Sequence, residues 1–192
     1  MAPTIRLIFH PLETVFLDNN GITVNCTIHE SQLTYNGILY DTVEYAFNYA
    51  ENIGEGCFFC CPKSTCCGYH VGDREKVILL MHNNVIEHVY FKAHHAGQGM
   101  WLPWNLCNKD SDGNLIAYVA RGSHAFYPNH ETYIRIFGFA NDQCSSNGLS
   151  LLSNITGTHN GEYIPKQHSI TPIQRFFLPF VICCISNGPD VN

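Results

Sequence analysis

Three short elements concentrate the side chains that can do chemistry: "HVGDRE" (His70 to Glu75), "AHHAGQG" (Ala93 to Gly99) and "ARGSHAFYPN" (Ala120 to Asn129). With His130 close behind, they supply His70, Asp73, Glu75, His94, His95 and His124 as a candidate polar cluster. Imidazoles beside carboxylates are a donor set for a divalent metal and a proton-transfer pair near neutral pH. Strand alternation would place Asp73 and Glu75 on one face with Arg74 pointing away. His70 joins them only if Gly72 turns the chain, which glycine permits. His94 and His95 are neighbours, so only one can face the group unless Gly97 and Gly99 bend the backbone. The expected set is Asp73, Glu75, one of the two histidines, and His124. The competing reading is structural: such side chains also tie Gly-rich loops together by bonding backbone groups. "GSHAF" around Ser123 is not a Gly-x-Ser-x-Gly nucleophile elbow, and the chain has no phosphate loop.

A second cluster is made of cysteine. "CFFCCPKSTCC" places Cys57, Cys60, Cys61, Cys66 and Cys67 within eleven residues. A Cys-x-x-Cys step can hold zinc when a second pair arrives from a spaced loop. Here the second pair is adjacent, and neighbouring side chains of an extended strand diverge. The alternatives are small apolar core residues, or surface thiols that crosslink copies in a dense assembly. No metal is assigned to either cluster, and no cofactor is expected beyond a divalent ion as an alternative.

The elements that must position these residues read mostly as strands. "TIRLIFH", "ITVNCTI", "KVILLMH", "VIEHVYFK", "LIAYVA", "TYIRIFGFA" and "RFFLPFVICCI" are rich in β-branched and aromatic residues and alternate with turn signals. "NN" at Asn83 and Asn84 predicts a hairpin. One segment departs: Asp41 and Glu44 mimic a capping box, and Val43, Ala46, Phe47 and Ala50 share a helical face. The expectation is a mainly β, single-domain β-sandwich-like architecture over residues 1–192, with one short helix near residues 41–52.

Composition narrows the function classes. Lysine and arginine total 10 against 16 acidic residues, a net charge of −6, which argues against a nucleic-acid partner. Charged residues are 14% of the chain, below the usual quarter or so, which favours burial against a neighbouring copy. The N-terminus carries no secretion signal pattern, and the most apolar run, Phe176 to Ile185, is too short to span a bilayer. A cytoplasmic location with reduced thiols is the expectation.

The motif order resembles the vacuolar protein sorting-associated protein 62-like family, whose pattern is His-x-Gly-Asp-Trp-Glu, a Gln-His-His-like element, and Tyr-Val-Ala-x-Gly-Ser-His-Ala-x-Tyr-Pro. This chain supplies "HVGDRE", "KAHHAGQ" and "YVARGSHAFYP", with "RIFGFAND" following, over roughly residues 57–147. The matching positions are His70, Gly72, Asp73, Glu75, His94, His95, Gly122, Ser123 and His124. The resemblance implies the family's fold and assigns no reaction. Arg74 stands where the family has tryptophan, a change that alters packing and charge beside the cluster.

Three functions are expected. The first is a self-assembling structural protein with itself as partner, such as the matrix of an intracellular or viral protein crystal (an occlusion body), on a fold whose original activity is lost. The second is a metal-dependent hydrolase in which a bound ion activates water. The third is a glycan- or membrane-surface-binding β domain using Trp101, Trp104 and Tyr127.

Overall fold

A computed structural model describes residues 3–10, 25–35, 37–52, 70–94, 98–135, 141–153 and 155–158. The cysteine cluster 57–67, His95 and the apolar run 176–185 lie outside the described residues.

The fold is mainly β. The larger sheet has six strands in the order β12-β2-β3-β4-β5-β6. Its members are β2 (Asn25–Tyr35), β3 (Ile38–Asn52), β4 (His70–His82), β5 (Val85–Phe91), β6 (Met100–Pro103) and β12 (Ile155–Thr158). From β2 to β6 each strand is antiparallel to the next, whereas β12 runs parallel to β2. The smaller sheet has the order β11-β1-β7-β8, from β1 (Ile5–Phe9), β7 (Leu115–Val119), β8 (Phe126–Tyr127) and β11 (Ser150–Leu152). There β1 and β7 are parallel, pairing Ile5 with Leu115 through Phe9 with Val119. A two-stranded ladder joins β9 (Thr132–Tyr133) to β10 (Asp142–Gln143).

One apolar core fills the space between the two large sheets, which makes the architecture sandwich-like. Ile5, Leu7 and Phe9 of β1 and Leu115, Ala117 and Val119 of β7 meet Val43, Tyr45 and Phe47 of β3, Val77 and Leu79 of β4, and Val89 and Phe91 of β5. The rings of Phe47 and Phe126 pack edge-to-face at 5.1 Å, joining the sheets across the core.

The helix expected near residues 41–52 is instead the long central strand β3, paired with β2 on one side and β4 on the other. Val43, Tyr45, Phe47 and Tyr49 form a period-two apolar face that competes with the helical spacing of Val43, Ala46, Phe47 and Ala50. The strand wins because that face enters the core and both backbone edges find a ladder partner. The apparent cap residues have other duties. Asp41 accepts a bond from Gln32, and Glu44 takes Lys76 Nζ at 3.0 Å.

The hairpin at Asn83–Asn84 is present, with both residues at positive φ (51° and 63°), as a tight turn matching strand twist requires. Trp104–Leu106 form a single 3-10 turn. Among the described residues no helix is long and apolar enough to cross a membrane.

Candidate functional site

The first cluster grows from β4. Asp73 and Glu75 occupy successive inward positions, registered against Tyr49 and Phe47 of β3, and both are buried. Asp73 Oδ2 faces His124 Nδ1 at 3.1 Å and accepts a hydrogen bond from Asn52 Nδ2 at 3.2 Å. The same amide bonds the Ser123 carbonyl oxygen at 3.0 Å, tying the end of β3 to the turn that carries His124. The His124 imidazole stacks on the Tyr49 ring, centroids 4.0 Å apart and nearly parallel. His70 approaches from the rim, where its Nε2 lies 4.0 Å from Asp73 Oδ1. Gly72 has φ +74°, the left-handed conformation that lets the chain swing His70 toward the group, and His70 Nδ1 contacts the Gly72 carbonyl oxygen at 2.8 Å.

Glu75 sits deeper. Its Oε1 is 3.4 Å from Lys92 Nζ, which also donates to the Arg74 carbonyl oxygen at 2.6 Å. Glu75 Oε2 has no hydrogen-bond partner among the described residues. Burial pushes the Glu75 carboxyl well above the ordinary carboxylate range; Lys92 opposes this, Asp73 adds to it, and His124 opposes it again. Glu75 thus keeps its proton to a higher pH than an exposed glutamate does, beside the Asp73–His124 contact.

His94 belongs elsewhere. Its Nε2 lies 2.6 Å from Asp142 Oδ2, at the start of β10. Asp142 is fully buried and collects further partners: Ser123 Oγ donates to Oδ1 at 2.7 Å, Tyr127 donates its hydroxyl to Oδ2, and Arg135 Nη1 stands 3.6 Å away. His94 and His124 both take positive φ (52° and 56°), uncommon for a residue with a Cβ. Ala120 donates its N–H to the Ala125 carbonyl and its own carbonyl accepts from His124 N, so residues 120–125 close a compact loop. Ser123 and His124, adjacent in that loop, point to opposite clusters. Of the two histidines expected to offer one member to Asp73, Glu75 and His124, His94 instead meets Asp142 from a left-handed backbone, and His95 lies outside the described residues. Among the described residues, no three His, Cys, Asp or Glu side chains converge with metal-ligand spacing.

Arg74 points to the opposite sheet face, where its Nη2 is 3.5 Å from Glu44 Oε1. Arg74 thus adds its charge to the outer face. Of the three aromatics that the glycan- or membrane-binding alternative would use, Tyr127 is buried against Asp142 and stacks on Tyr133 at 3.7 Å. Trp104 packs on the core with Lys109 Nζ above its ring, and Trp101 lies half-buried beside Tyr90. Sequence reasoning missed Asn52, Tyr49, Lys92 and Asp142. Tyr49 was detectable from the period-two face of β3, and Asp142 from the "RIFGFAND" run.

No protein-family model matches the chain, and no curated protein matches it. Among solved structures, the chain is similar to the crystal structure of Necrosis and Ethylene inducing Protein 2 from the causal agent of cocoa's Witches Broom disease. Identity is 15%, the TM-score is 0.43, and the match covers 66% of this chain and 64% of that one. The chain thus spans just under two thirds of that structure.

Proposed function

We propose that the protein is a self-associating structural module whose buried polar clusters bolt the fold together, with exposed hairpin tips as the contact surface. One observation carries the reading. The β2–β3 and β4–β5 tips lie side by side around a shallow groove lined by Gln32, Ile38, Leu39, Asp41, His82 and Asn84. Around it Ile38, Leu39 and Val85 are 40%, 54% and 62% exposed, a concentration of aliphatic surface at one end of the sheet. Low charge density elsewhere lowers the entropic cost of packing copies together. The matrix of an intracellular or viral protein crystal is the specific assembly proposed, on a fold resembling the vacuolar protein sorting-associated protein 62-like family.

The test is sedimentation of the purified chain across a wide concentration range, beside a variant carrying Ile38→Ser, Leu39→Ser and Val85→Ser. The parent is expected to associate, and the variant to stay monomeric with an unchanged unfolding midpoint. A parent that remains monomeric at high concentration near neutral pH would sink the proposal. Particulate protein in the producing cell supports the crystal-matrix version, and wholly dissolved protein removes it.

A second reading, metal-dependent hydrolysis, is favoured by one feature: beside Asp73, the buried Glu75 Oε2 has no hydrogen-bond partner among the described residues. In that reading Asp73, Glu75 and His124 are the candidate ligands, and they would have to draw together around the ion, since no three such side chains already stand at metal-ligand spacing among the described residues. Stoichiometric divalent metal in the native protein, lost in Glu75→Gln, is its expected signature. Metal-free native protein rules it out.

A further inference from the structure

The loop between β10 and β11 contains "SSNGL", and its packing against β1 leaves position 148 no choice of residue. A Cβ on Gly148 would overlap the Phe9 carbonyl oxygen, so only glycine fits against the end of β1. The neighbouring Phe9 N–H donates to the Leu149 carbonyl at 2.9 Å, which fastens the loop's exit to that strand. An asparagine therefore precedes an obligatory glycine, on an exposed bend.

From this geometry we infer that Asn147 is a site of spontaneous covalent modification, in which its side-chain amide is converted to aspartate and isoaspartate. Three local features favour the reaction. The Asn147 N–H donates to Ser145 Oγ at 3.2 Å, which braces the bend. The Ser146 hydroxyl donates to Asn147 Oδ1 at 3.2 Å, polarising the carbonyl that must be attacked. Among the described residues neither the Gly148 N–H nor Asn147 Nδ2 is engaged in a hydrogen bond, so both the nucleophile and the leaving nitrogen are available.

The chemistry balances with water alone. The Gly148 nitrogen, losing its proton to solvent base, forms a bond to Asn147 Cγ. The Cγ–Nδ2 bond breaks, and Nδ2 leaves as ammonia after gaining a proton. Water then opens the five-membered imide at either carbonyl, giving aspartate or isoaspartate without any change of oxidation state. The isoaspartate product inserts an extra methylene into the backbone one residue before Gly148 and adds a negative charge. Because Gly148 is wedged against the Phe9 carbonyl, that extra length displaces the wedge and loosens β11 from β1. The site is thus an ageing device in the loop that leads into the outer strand of the smaller sheet, independent of the proposed self-association.

The full chain is incubated at neutral pH and body temperature in buffer, and in parallel in urea, and followed by peptide mass spectrometry and isoaspartyl-methyltransferase labelling. The peptide containing Asn147 is expected to convert in the folded chain at least as fast as in urea. Asn147→Gln should abolish the signal from that peptide, the other Asn-Gly pairs (Asn20, Asn36, Asn160 and Asn187) being read in their own peptides. Ser146→Ala should slow it about fivefold, the rate equivalent of one hydrogen bond of about 1 kcal/mol. Conversion in urea with an intact peptide in the folded chain overturns the inference, as does no conversion in either state or an unchanged rate in Ser146→Ala. Hydrogen exchange reads the structural consequence: the Phe9 amide should exchange faster in the converted fraction, and equal exchange removes the coupling to β1.

Discussion

Replacing Asp142 with asparagine isolates the electrostatic part of its role, because the shape of the side chain is kept and the charge removed. In the parent, this fully buried carboxylate accepts from Ser123 and Tyr127, contacts His94 at 2.6 Å, and faces Arg135 at 3.6 Å. Asparagine can still accept from Ser123 through its oxygen. Its amide nitrogen then meets the Tyr127 hydroxyl and the His94 ring, and Arg135 loses its counter-charge. Removing one member of a buried ionic group typically costs about 3–5 kcal/mol. Keeping one hydrogen bond and the packing places this variant near the lower bound, at about 3 kcal/mol, a large part of the roughly 5–15 kcal/mol that holds a domain folded. With a urea dependence of about 2–3 kcal/mol per molar, the unfolding midpoint should fall by about 1 M. Urea titration followed by fluorescence reads this directly. If the midpoint stays within about 0.3 M of the parent, the stabilising role of the Asp142 cluster is refuted. Adding His94→Ala should cost less in the Asp142→Asn background than in the parent, since the two share one interaction.

The same geometry fixes further outcomes. Burial keeps Glu75 protonated to a pH well above that of an unfolded glutamate, so the folded chain binds the extra proton across that window. This contribution is full below the unfolded glutamate's range and is lost as pH rises through the folded-state value. Glu75→Gln, compared with the parent in chelated buffer, should flatten that decline by up to about 1.4 kcal/mol per pH unit; parallel pH profiles would contradict the placement of Glu75. Phe126→Ala removes the ring that packs on Phe47 and should lower stability by about 3–5 kcal/mol in urea unfolding. Burial pushes the Cys26 thiol up to about 12 and Cys107 up to about 11, so iodoacetamide at mildly alkaline pH should spare both in the folded chain and label both in urea.

Much of the architecture was legible because strands announce themselves through local alternation. Thr4–His10, the two arms around Asn83–Asn84, and Leu115–Ala120 all carry β-branched and aromatic residues bounded by turn formers, and each forms a strand there. Residues 41–52 misled because a period-two face and a helical face coexist in them; the ladder partners that decide between the two come from β2 and β4, remote in sequence. The same limit governs the histidine pair. Strand alternation applies only while the backbone stays extended, and it offers no view of a histidine in the left-handed region, as His94 is.

The β character, the shared face of Asp73 and Glu75 and the opposite direction of Arg74 were all readable along the chain, since they rest on the pleat's repeat of two residues. Which groups meet those side chains was settled by packing in three dimensions. Asn52 and His124 reach Asp73, while Lys92 meets Glu75; His94, Ser123, Tyr127 and Arg135 converge on Asp142. The reason is that each carboxylate, once buried, must be answered by donors, and those donors come from whichever loops the two packed sheets bring within hydrogen-bond reach.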